Sequence, residues 1–448
     1  MNAIFFFIVF IAFGVAAYRQ LTESTAAGAP TAMDVLGTGM IESAKGSITL
    51  ALGLIGVMAL FLGLMKVAEA GGLLTIIAKL LRPIMVRLFP DVPADHPAMG
   101  AMIMNLSANI MGLGNAATPF GIRAMQELDK LSTHKGTASD SMVLFLAINT
   151  SSITLLPTGV IALRAAAGSN DPAGIVPTTL FATLCSTLIA ILAAKYFARL
   201  WQTPEAHDLT FQNTRPLNDT ATDDPTKTNE MPDTVEAAEM AATEARAYPF
   251  WATLLALGAV ITMIPLTIFY GNTISPWIIP CLMLGLLGFG YFRSVPVYEV
   301  FVDGAKDGFQ VAIRIIPYLV AILVAVGMFR SSGAMDLLIQ PLGVLTSLIG
   351  LPVDALPMAI LRPLSGSGAY GVLASTIQNP TIGPDSYTGY LVSTLQGSTE
   401  TTFYVLAVYF GAVQIRRVRH ALAAGLTADI VGVAASIFIC SLLYGHLA

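Results

Sequence analysis

A cluster of polar residues interrupts an apolar run near the end of the sequence. Within residues 387–413, a run long enough to cross a bilayer, the chain carries Gln396, Gly397, Ser398, Thr399, Glu400, Thr401 and Thr402 in succession. A carboxylate in the middle of a membrane costs about 3 kcal/mol on insertion scales, so Glu400 is expected to be paired or functional. Gly397 and the hydroxyls predict a broken helix, whose freed backbone groups must face a cavity or packed protein. A continuous helix with hydroxyls bonded to its own carbonyls is the alternative.

A similar cluster of neutral polar residues lies in the first half of the chain, at the centre of the predicted span 140–163. Its members are Asn149, Thr150, Ser151 and Ser152. Side-chain oxygens next to freed carbonyls suit sodium, a hard cation that takes several oxygen ligands. The sequence therefore predicts an ion site at these residues. A kinked helix held by hydrogen bonds is the alternative interpretation.

Two further apolar stretches, 98–120 and 357–379, are rich in Gly, Asn, Ser and Pro and predict re-entrant hairpins. The first contains Asn105, Asn109 and Asn115. Amide side chains in an apolar stretch are costly unless they bond to each other or face a ligand. Contact with a solute or ion and internal bracing of the hairpin both remain open for these residues.

The second hairpin carries Arg362, Ser365 and Ser367. A guanidinium group at this depth can bind a carboxylate or phosphate of a solute. It can also pair with Glu400 or extend to the membrane surface. The sequence leaves these three interpretations open.

The composition is that of an integral membrane protein. Of 448 residues, 55% are hydrophobic and only 11% are charged, and the mean hydropathy is +0.72. The net charge of −5 gives no basic footprint for nucleic acid. The cysteines and histidines are scattered without metal-ligand spacing, which predicts neither a metal nor a cofactor. Without a nucleophile–base pair, the sequence predicts no enzyme.

The predicted fold is an all-α polytopic membrane protein with about nine spans. The apolar runs lie at 2–18, 46–66, 140–163, 175–198, 249–270, 276–292, 308–329, 388–413 and 421–445. Shorter amphipathic segments at 72–90 and 334–350 are expected on the membrane surface. The basic residues concentrate on one side of this arrangement. By the positive-inside rule, the N-terminus is expected in the cytoplasm and the C-terminus outside, in a bacterial inner membrane.

An acidic segment, 201–247, divides the chain into two predicted membrane repeats, 1–200 and 248–448. It holds ten acidic and three basic residues and is predicted to be a cytoplasmic linker. Short matches recur in the same order on both sides of it, such as AKG at 44–46 and AKDG at 305–308. The extra span 249–270 would invert the second copy. Inverted repeats with broken helices are typical of secondary transporters.

Two long motifs carry a family resemblance. GLGNAATPFG at 112–121 resembles spore maturation protein A, and GSTETTFYVLAVYFGAV at 397–413 resembles spore maturation protein B. The resemblance implies the nucleoside recognition or Gate domain, shared with concentrative nucleoside transporters and with the membrane part of ferrous-iron transporters. It implies paired hairpins and broken helices around a central site. By position in the repeat, this places Asn105, Asn109 and Asn115 near solute or ion, Asn149 and Ser151 near the ion, and Ser398, Glu400 and Thr401 near the solute.

We therefore predict a secondary transporter that works by alternating access on a small polar or anionic metabolite, such as a nucleoside, amino acid or carboxylate. Coupling to Na⁺ or H⁺ and a homodimer belong to this hypothesis. The predicted solute-binding residues are Asn105, Asn109, Asn115, Arg362, Ser365, Ser367, Gln396, Ser398, Thr399, Glu400 and Thr401. A scaffold in envelope or spore maturation and a passive channel are the alternative functions.

Overall fold

The computed structural model describes residues 2–23, 29–201, 248–334 and 349–447, together with Leu337 and Thr346. In these ranges the regular structure is helical, with one isolated bridge between Thr137 and Arg417. Almost all of the predicted linker 201–247 and most of the predicted surface segment 334–350 lie outside the described residues.

The helices of the first half follow the predicted order. They are α1 (Asn2–Thr22), α2 (Ala32–Ala70), α3 (Leu73–Leu88), α4 (Pro97–Ile110), α5 (Gly114–Leu131), α6 (Asp140–Thr150), α7 (Thr158–Ala166) and α8 (Ile175–Leu200). The described helices of the second half are α9 (Phe250–Phe292), α10 (Val297–Ser331), α11 (Leu356–Leu364), α12 (Gly366–Gln378), α13 (Tyr387–Ser398), α14 (Thr402–Ala412) and α15 (Ala421–Tyr444). Short 3₁₀ turns precede α11 and follow α15.

Four of the described helical segments are long and apolar enough to cross a membrane. They are Phe5–Thr22, Ala32–Ala70, Ile175–Leu200 and Ala421–Leu447. Together with the composition, they identify a multi-pass membrane protein.

Both predicted helix breaks are present, and the local sequence explains where each broken helix starts and stops. Ser139 caps α6 by accepting a hydrogen bond from the Met142 N–H at 3.2 Å, and Ser386 caps α13 in the same way from Gly389 at 3.0 Å. The chain leaves the helical conformation after Thr150 and resumes it at Thr158. In the second half the break covers only residues 399–401.

The two Gly- and Asn- or Ser-rich stretches each form a pair of helices joined by a tight turn. In the first hairpin, α4 and α5 are joined through Gly112, whose φ of +77° lies in the left-handed region that favours glycine. In the second, Ser365 lies between α11 and α12 and caps α12 by accepting from the Gly368 N–H at 3.0 Å.

The long helices differ from the predicted spans. The predicted spans 249–270 and 276–292 form the single continuous helix α9, which is 43 residues long. The predicted spans 46–66 and 308–329 are the cores of α2 and α10, which contain 39 and 35 residues. Hydropathy marks only the apolar part of a helix, and Gly and Pro are tolerated inside membrane helices, where they can bend the helix without ending it.

Helices α2 and α10 run antiparallel and lie in close contact through small residues. A Cβ atom on Gly39 would overlap the Ser331 side chain, and one on Gly308 would lie 2.7 Å from the Ala59 Cα. Residues early in α2 therefore meet residues late in α10. This backbone approach is what a stripe of glycine and alanine permits between membrane helices.

The buried apolar residues form two large clusters, and each broken helix joins them. Phe145 in α6 and Tyr409 in α14 belong to one cluster, while Leu163 in α7 and Leu395 in α13 belong to the other. The breaks therefore lie where the two cores meet. Polar backbone at this junction needs partners, and it is here that the polar residues of the sequence converge.

Candidate functional site

The two breaks touch each other through their backbones. The Glu400 N–H, in the second break, donates to the Thr150 carbonyl at the end of α6 at 2.7 Å. The first break is also tied to the first hairpin, because the Leu155 N–H donates to the Ile110 carbonyl at 3.0 Å. The freed backbone groups therefore find partners within the protein, as a membrane environment requires.

A cavity of about 850 Å³ opens beside this crossing. Both hairpins and both breaks contribute to its wall, together with the facing sides of α2 and α10. Its polar lining residues are Lys66, Glu69, Asn109, Ser152, Thr154, Thr158, Asp307, Gln310, Arg362, Tyr370, Gln396 and Glu400. The volume lies within the range of small-molecule sites.

On the second-half side of the cavity, Arg362 and Glu400 form an ion pair. The shortest N···O distance between them is 3.6 Å, and the side chain of Arg362 is 6% exposed whereas that of Glu400 is 54% exposed. The guanidinium group also donates to the Thr399 carbonyl and, at 3.3 Å, to the Thr401 hydroxyl. Of the three interpretations of Arg362, the structure therefore shows the pairing with Glu400, and it leaves the carboxylate accessible to the cavity.

On the first-half side, neutral amides join the hairpin to the break. Asn109 at the end of α4 donates to the Asn149 side-chain oxygen at 3.0 Å, and Asn149 donates to the Phe145 carbonyl at 2.9 Å. Tyr409 joins them, since its hydroxyl donates to the Asn149 side-chain oxygen at 3.4 Å and accepts from Asn105 at 3.2 Å. Hairpin and break are thus joined by amide hydrogen bonds here and by charge in the second half.

Only some of the predicted site residues reach the cavity. Those that line it are Asn109, Ser152, Arg362, Gln396 and Glu400. Those buried behind its wall are Asn105, Asn149, Thr150, Ser151, Ser365, Ser398, Thr399 and Thr401. Ser367 is exposed, and the side chain of Asn115 lies outside the described part of the structure.

Several of the buried predicted residues bond to the backbone of their own helix or hairpin. The Thr150 and Ser151 hydroxyls donate to the Ala147 carbonyl at 2.9 Å, and Ser398 donates to the Leu395 carbonyl at 2.9 Å. Asn105 donates to the Ala117 carbonyl at 2.8 Å across the first hairpin. These contacts match the bracing interpretation of the polar clusters for the residues that make them.

Asp429 belongs to the site region and was missed by the sequence reasoning. It lies in α15, is 4% exposed and accepts a hydrogen bond from the Thr402 hydroxyl at 2.7 Å. The signal that singled out Glu400 was available for it as well, because it is a carboxylate inside the predicted span 421–445. It stands among apolar residues and glycines without a polar cluster around it, so the local pattern does not indicate a site.

Arg164, at the end of α7, was also missed. It is 0% exposed and donates to the Pro384 carbonyl at 2.6 Å and the Asp385 carboxylate at 3.0 Å, joining the end of the first broken helix to the start of the second. No metal-ligating group of three or more His, Cys, Asp or Glu side chains is found among the residues that the structure describes.

Comparison with known proteins adds to this geometry. Residues 51–167 and 312–416 match the family model Gate, described as nucleoside recognition. The matched segments include both hairpins and both breaks. Among curated proteins, spore maturation protein B of Bacillus subtilis is 49% identical over 174 residues, which cover 39% of this chain and 97% of the relative. Spore maturation protein A of the same organism is 51% identical over 158 residues, which cover 35% of this chain and 81% of the relative. No solved structure matches the chain.

Proposed function

We propose that this chain, which belongs to the family of spore maturation proteins A and B, is an ion-coupled secondary transporter of the bacterial inner membrane. Its nucleoside recognition segments include both breaks and both hairpins. The observation that carries this proposal is the 850 Å³ cavity, whose wall combines the Arg362–Glu400 pair of the second half with amide and hydroxyl groups and the Lys66–Glu69 pair of the first. A site built at the crossing of two broken helices is the arrangement that secondary transporters use.

The proposal includes an inverted repeat. Its support is the order of elements, since hairpin, broken helix and long helix follow one another in both halves, and the antiparallel packing of α2 against α10. In this arrangement the hairpins are re-entrant, the N-terminus is cytoplasmic and the C-terminus is outside. Alternating access then consists of movement of the hairpins and broken helices against α2 and α10, in a protein that is no enzyme and that acts as a homodimer.

The accessible groups of the cavity favour a polar solute that presents hydrogen-bond donors. Arg362 is almost buried and already donates to Thr399 and Thr401, whereas Glu400 offers a carboxylate to the cavity. Gln396 and Tyr370 lie in the same wall. The exposed cation of the lining, Lys66, is already paired with Glu69 at 3.5 Å, and Asp307 adds a further carboxylate. Hydroxyl or amine groups, as in a nucleoside or an amino acid, complement this lining better than a dicarboxylate does.

The test is a stability screen of the purified protein in detergent with nucleosides, amino acids and dicarboxylates, in sodium or potassium buffers. A solute at 100 times its Kd should add about 2.7 kcal/mol of stability. We expect Glu400→Gln to weaken the binding of an active solute at least 10-fold, because the charged acceptor is lost. The surface variant Glu42→Gln is the control, since Glu42 is 71% exposed and far from the cavity lining.

Uptake of the active solute into proteoliposomes then separates transport from binding alone. Saturable uptake that depends on an ion gradient supports the proposal, and flux without saturation identifies a channel. A solute whose binding is unaffected by both Glu400→Gln and Gln396→Ala would show that the cavity is not the site.

A structural role in envelope or spore maturation is the second candidate. It is favoured by the bracing hydrogen bonds of Asn105, Thr150 and Ser151 and by the names of the relatives. Such a role predicts that Glu400→Gln complements a deletion strain fully. Failure of this variant to complement, with normal expression in the membrane, favours transport.

A further inference from the structure

Asp429 is a buried carboxylate with one satisfied and one unsatisfied oxygen. Its Oδ2 accepts from the Thr402 hydroxyl at 2.7 Å, whereas Oδ1 has no hydrogen-bond partner among the described residues. An ionised carboxylate that is 4% exposed is costly to hold in this form. The buried Asp429 carboxylate is therefore an acceptor that a bound cation or a proton would stabilise.

The surface of α15 around Asp429 is built to bring hydroxyls close. Gly425 and Gly432 lie about one turn before and after it on the same face. A Cβ on Gly425 would lie 2.7 Å from Thr402 Cγ2 and 3.8 Å from Thr150 Oγ1. A Cβ on Gly432 would lie 2.7 Å from Thr399 Cγ2 and 3.5 Å from Ser186 Oγ. Because Gly425 and Gly432 have no side chains, the hydroxyl-bearing residues Thr150, Ser186, Thr399 and Thr402 can approach this face closely.

The charged groups near this face do not neutralise Asp429. Arg362 attracts the carboxylate electrostatically, but it forms its ion pair with Glu400 and donates to the Thr399 carbonyl. The other charged residues on the helices that pack against α15 are Asp140, Lys195 and Arg199. Asp140 stands ten residues before Thr150, and Lys195 nine residues after Ser186, so each is about 13–15 Å away along its helix.

We propose that Asp429, with the Thr402 hydroxyl and the hydroxyls beside it, binds the coupling cation of the protein, either Na⁺ or a proton. A carboxylate among neutral oxygens suits a hard monovalent cation, and a proton neutralises the same group. The cation site thus lies behind the wall of the cavity, and Glu400 belongs to the solute. The coupling role depends on the proposed transport function, but the binding of the cation does not.

The site also explains how a cation communicates with the solute. Thr399 in the second break and Thr402 at the start of α14 stand on either side of Glu400 in the sequence, and both contact the Asp429 face of α15. A bound cation fixes the break against α15, and with it the position of the Glu400 carboxylate and of its partner Arg362. Cation and solute therefore act on the same short segment of backbone.

The experiment measures cation binding to the purified full-length protein in detergent. One arm measures saturable binding of ²²Na⁺ at pH 8, and the other measures proton release with an indicator dye during a pH jump from 5 to 9 in sodium-free buffer. We expect the wild type to bind about one Na⁺ per chain, or to release about one proton more than Asp429→Asn does. Asp303→Asn is the control, because that carboxylate is 67% exposed and pairs with Lys306 at the surface.

Thr402→Val preserves the side-chain shape and covers the case in which Asp429→Asn fails to fold. It should weaken Na⁺ binding at least 10-fold, or change the pH range of proton release, through loss of the hydroxyl. Equal Na⁺ binding and equal proton release in wild type, Thr402→Val and folded Asp429→Asn would overturn the proposal. Cation binding that is lost in Asp429→Asn, in a protein that transports no solute, would confirm the cation site and refute the transport function. Sodium- and proton-independent transport would refute the coupling role.

Discussion

Replacing Arg164 should lower the free energy of unfolding more than replacing a member of any described surface ion pair does. Arg164 lies at the end of α7, is 0% exposed, and its guanidinium group is 4.2 Å from the centre of the Tyr390 ring. It donates to the Pro384 and Asp171 carbonyls at 2.6 and 3.1 Å and pairs with Asp385 at 3.0 Å. It is thus the buried centre of the contact between the loops that follow the first broken helix and precede the second.

The size of the effect follows from the burial of the two partners. Removing one member of a fully buried, hydrogen-bonded ion pair costs about 3–5 kcal/mol. Asp385 is 29% exposed, so water solvates part of the charge left behind, and the lower end applies. We expect Arg164→Gln to lower the free energy of unfolding by about 3 kcal/mol. Arg164→Lys should recover part of this loss, because lysine keeps the charge but lacks the forked donors.

The assay is reversible unfolding in mixed micelles, followed by circular dichroism, in a cycle with Asp385→Asn. The double variant should be less destabilised than the sum of the single variants, because each single change leaves an unpaired partner. Lys45→Gln is the control, since the Lys45–Glu42 pair is 68% and 71% exposed and its loss should not change stability measurably. A loss below about 1 kcal/mol for Arg164→Gln, in a folded protein, would refute the argument from burial.

Two further predictions concern the turn of the first hairpin and the start of α15. Gly112→Ala should destabilise the protein by about 2 kcal/mol or more in the same unfolding assay. The φ of Gly112 is +77°, and the new Cβ would lie 2.6 Å from the Leu156 carbonyl oxygen. Gly37→Ala is the control, because a Cβ at Gly37 would meet open space. Burial and the neighbouring Arg419 lower the pKa of His420, which is 1% exposed. The unfolded chain therefore binds a proton below about pH 6.5 more readily than the folded chain does, so stability should fall as the pH drops through this value. The fall, measured by the same unfolding assay at several pH values, should be smaller in His420→Gln.

The breaks and hairpins were predictable because their signals are local. Glu400 and its neighbours stand in an apolar run, and Gly112 stands in a turn, so a few adjacent residues were enough. Pairings between the halves were not predictable in this way. Arg164 and Asp385 are 221 residues apart, and neither has a local pattern that indicates the other. The division of residues 249–292 into two spans stays a prediction, because α9 is helical throughout while its two ends lie near each other, beside Lys79 and Gly71.

The two halves join hairpin to break with different chemistry, and the proposed function uses this difference. In the first half, Asn109 and Asn149 join hairpin and break without charge, while in the second half Arg362 and Glu400 do so with charge. Neutral amide bonds carry no net charge that a solute or cation would have to balance, which suits a fixed wall. Under the proposed function, the second break carries the accessible Glu400 and contacts the buried Asp429 through Thr402, so it would respond to both solute and cation. The hydrogen bond from the Glu400 N–H to the Thr150 carbonyl would then pass this response to the first break.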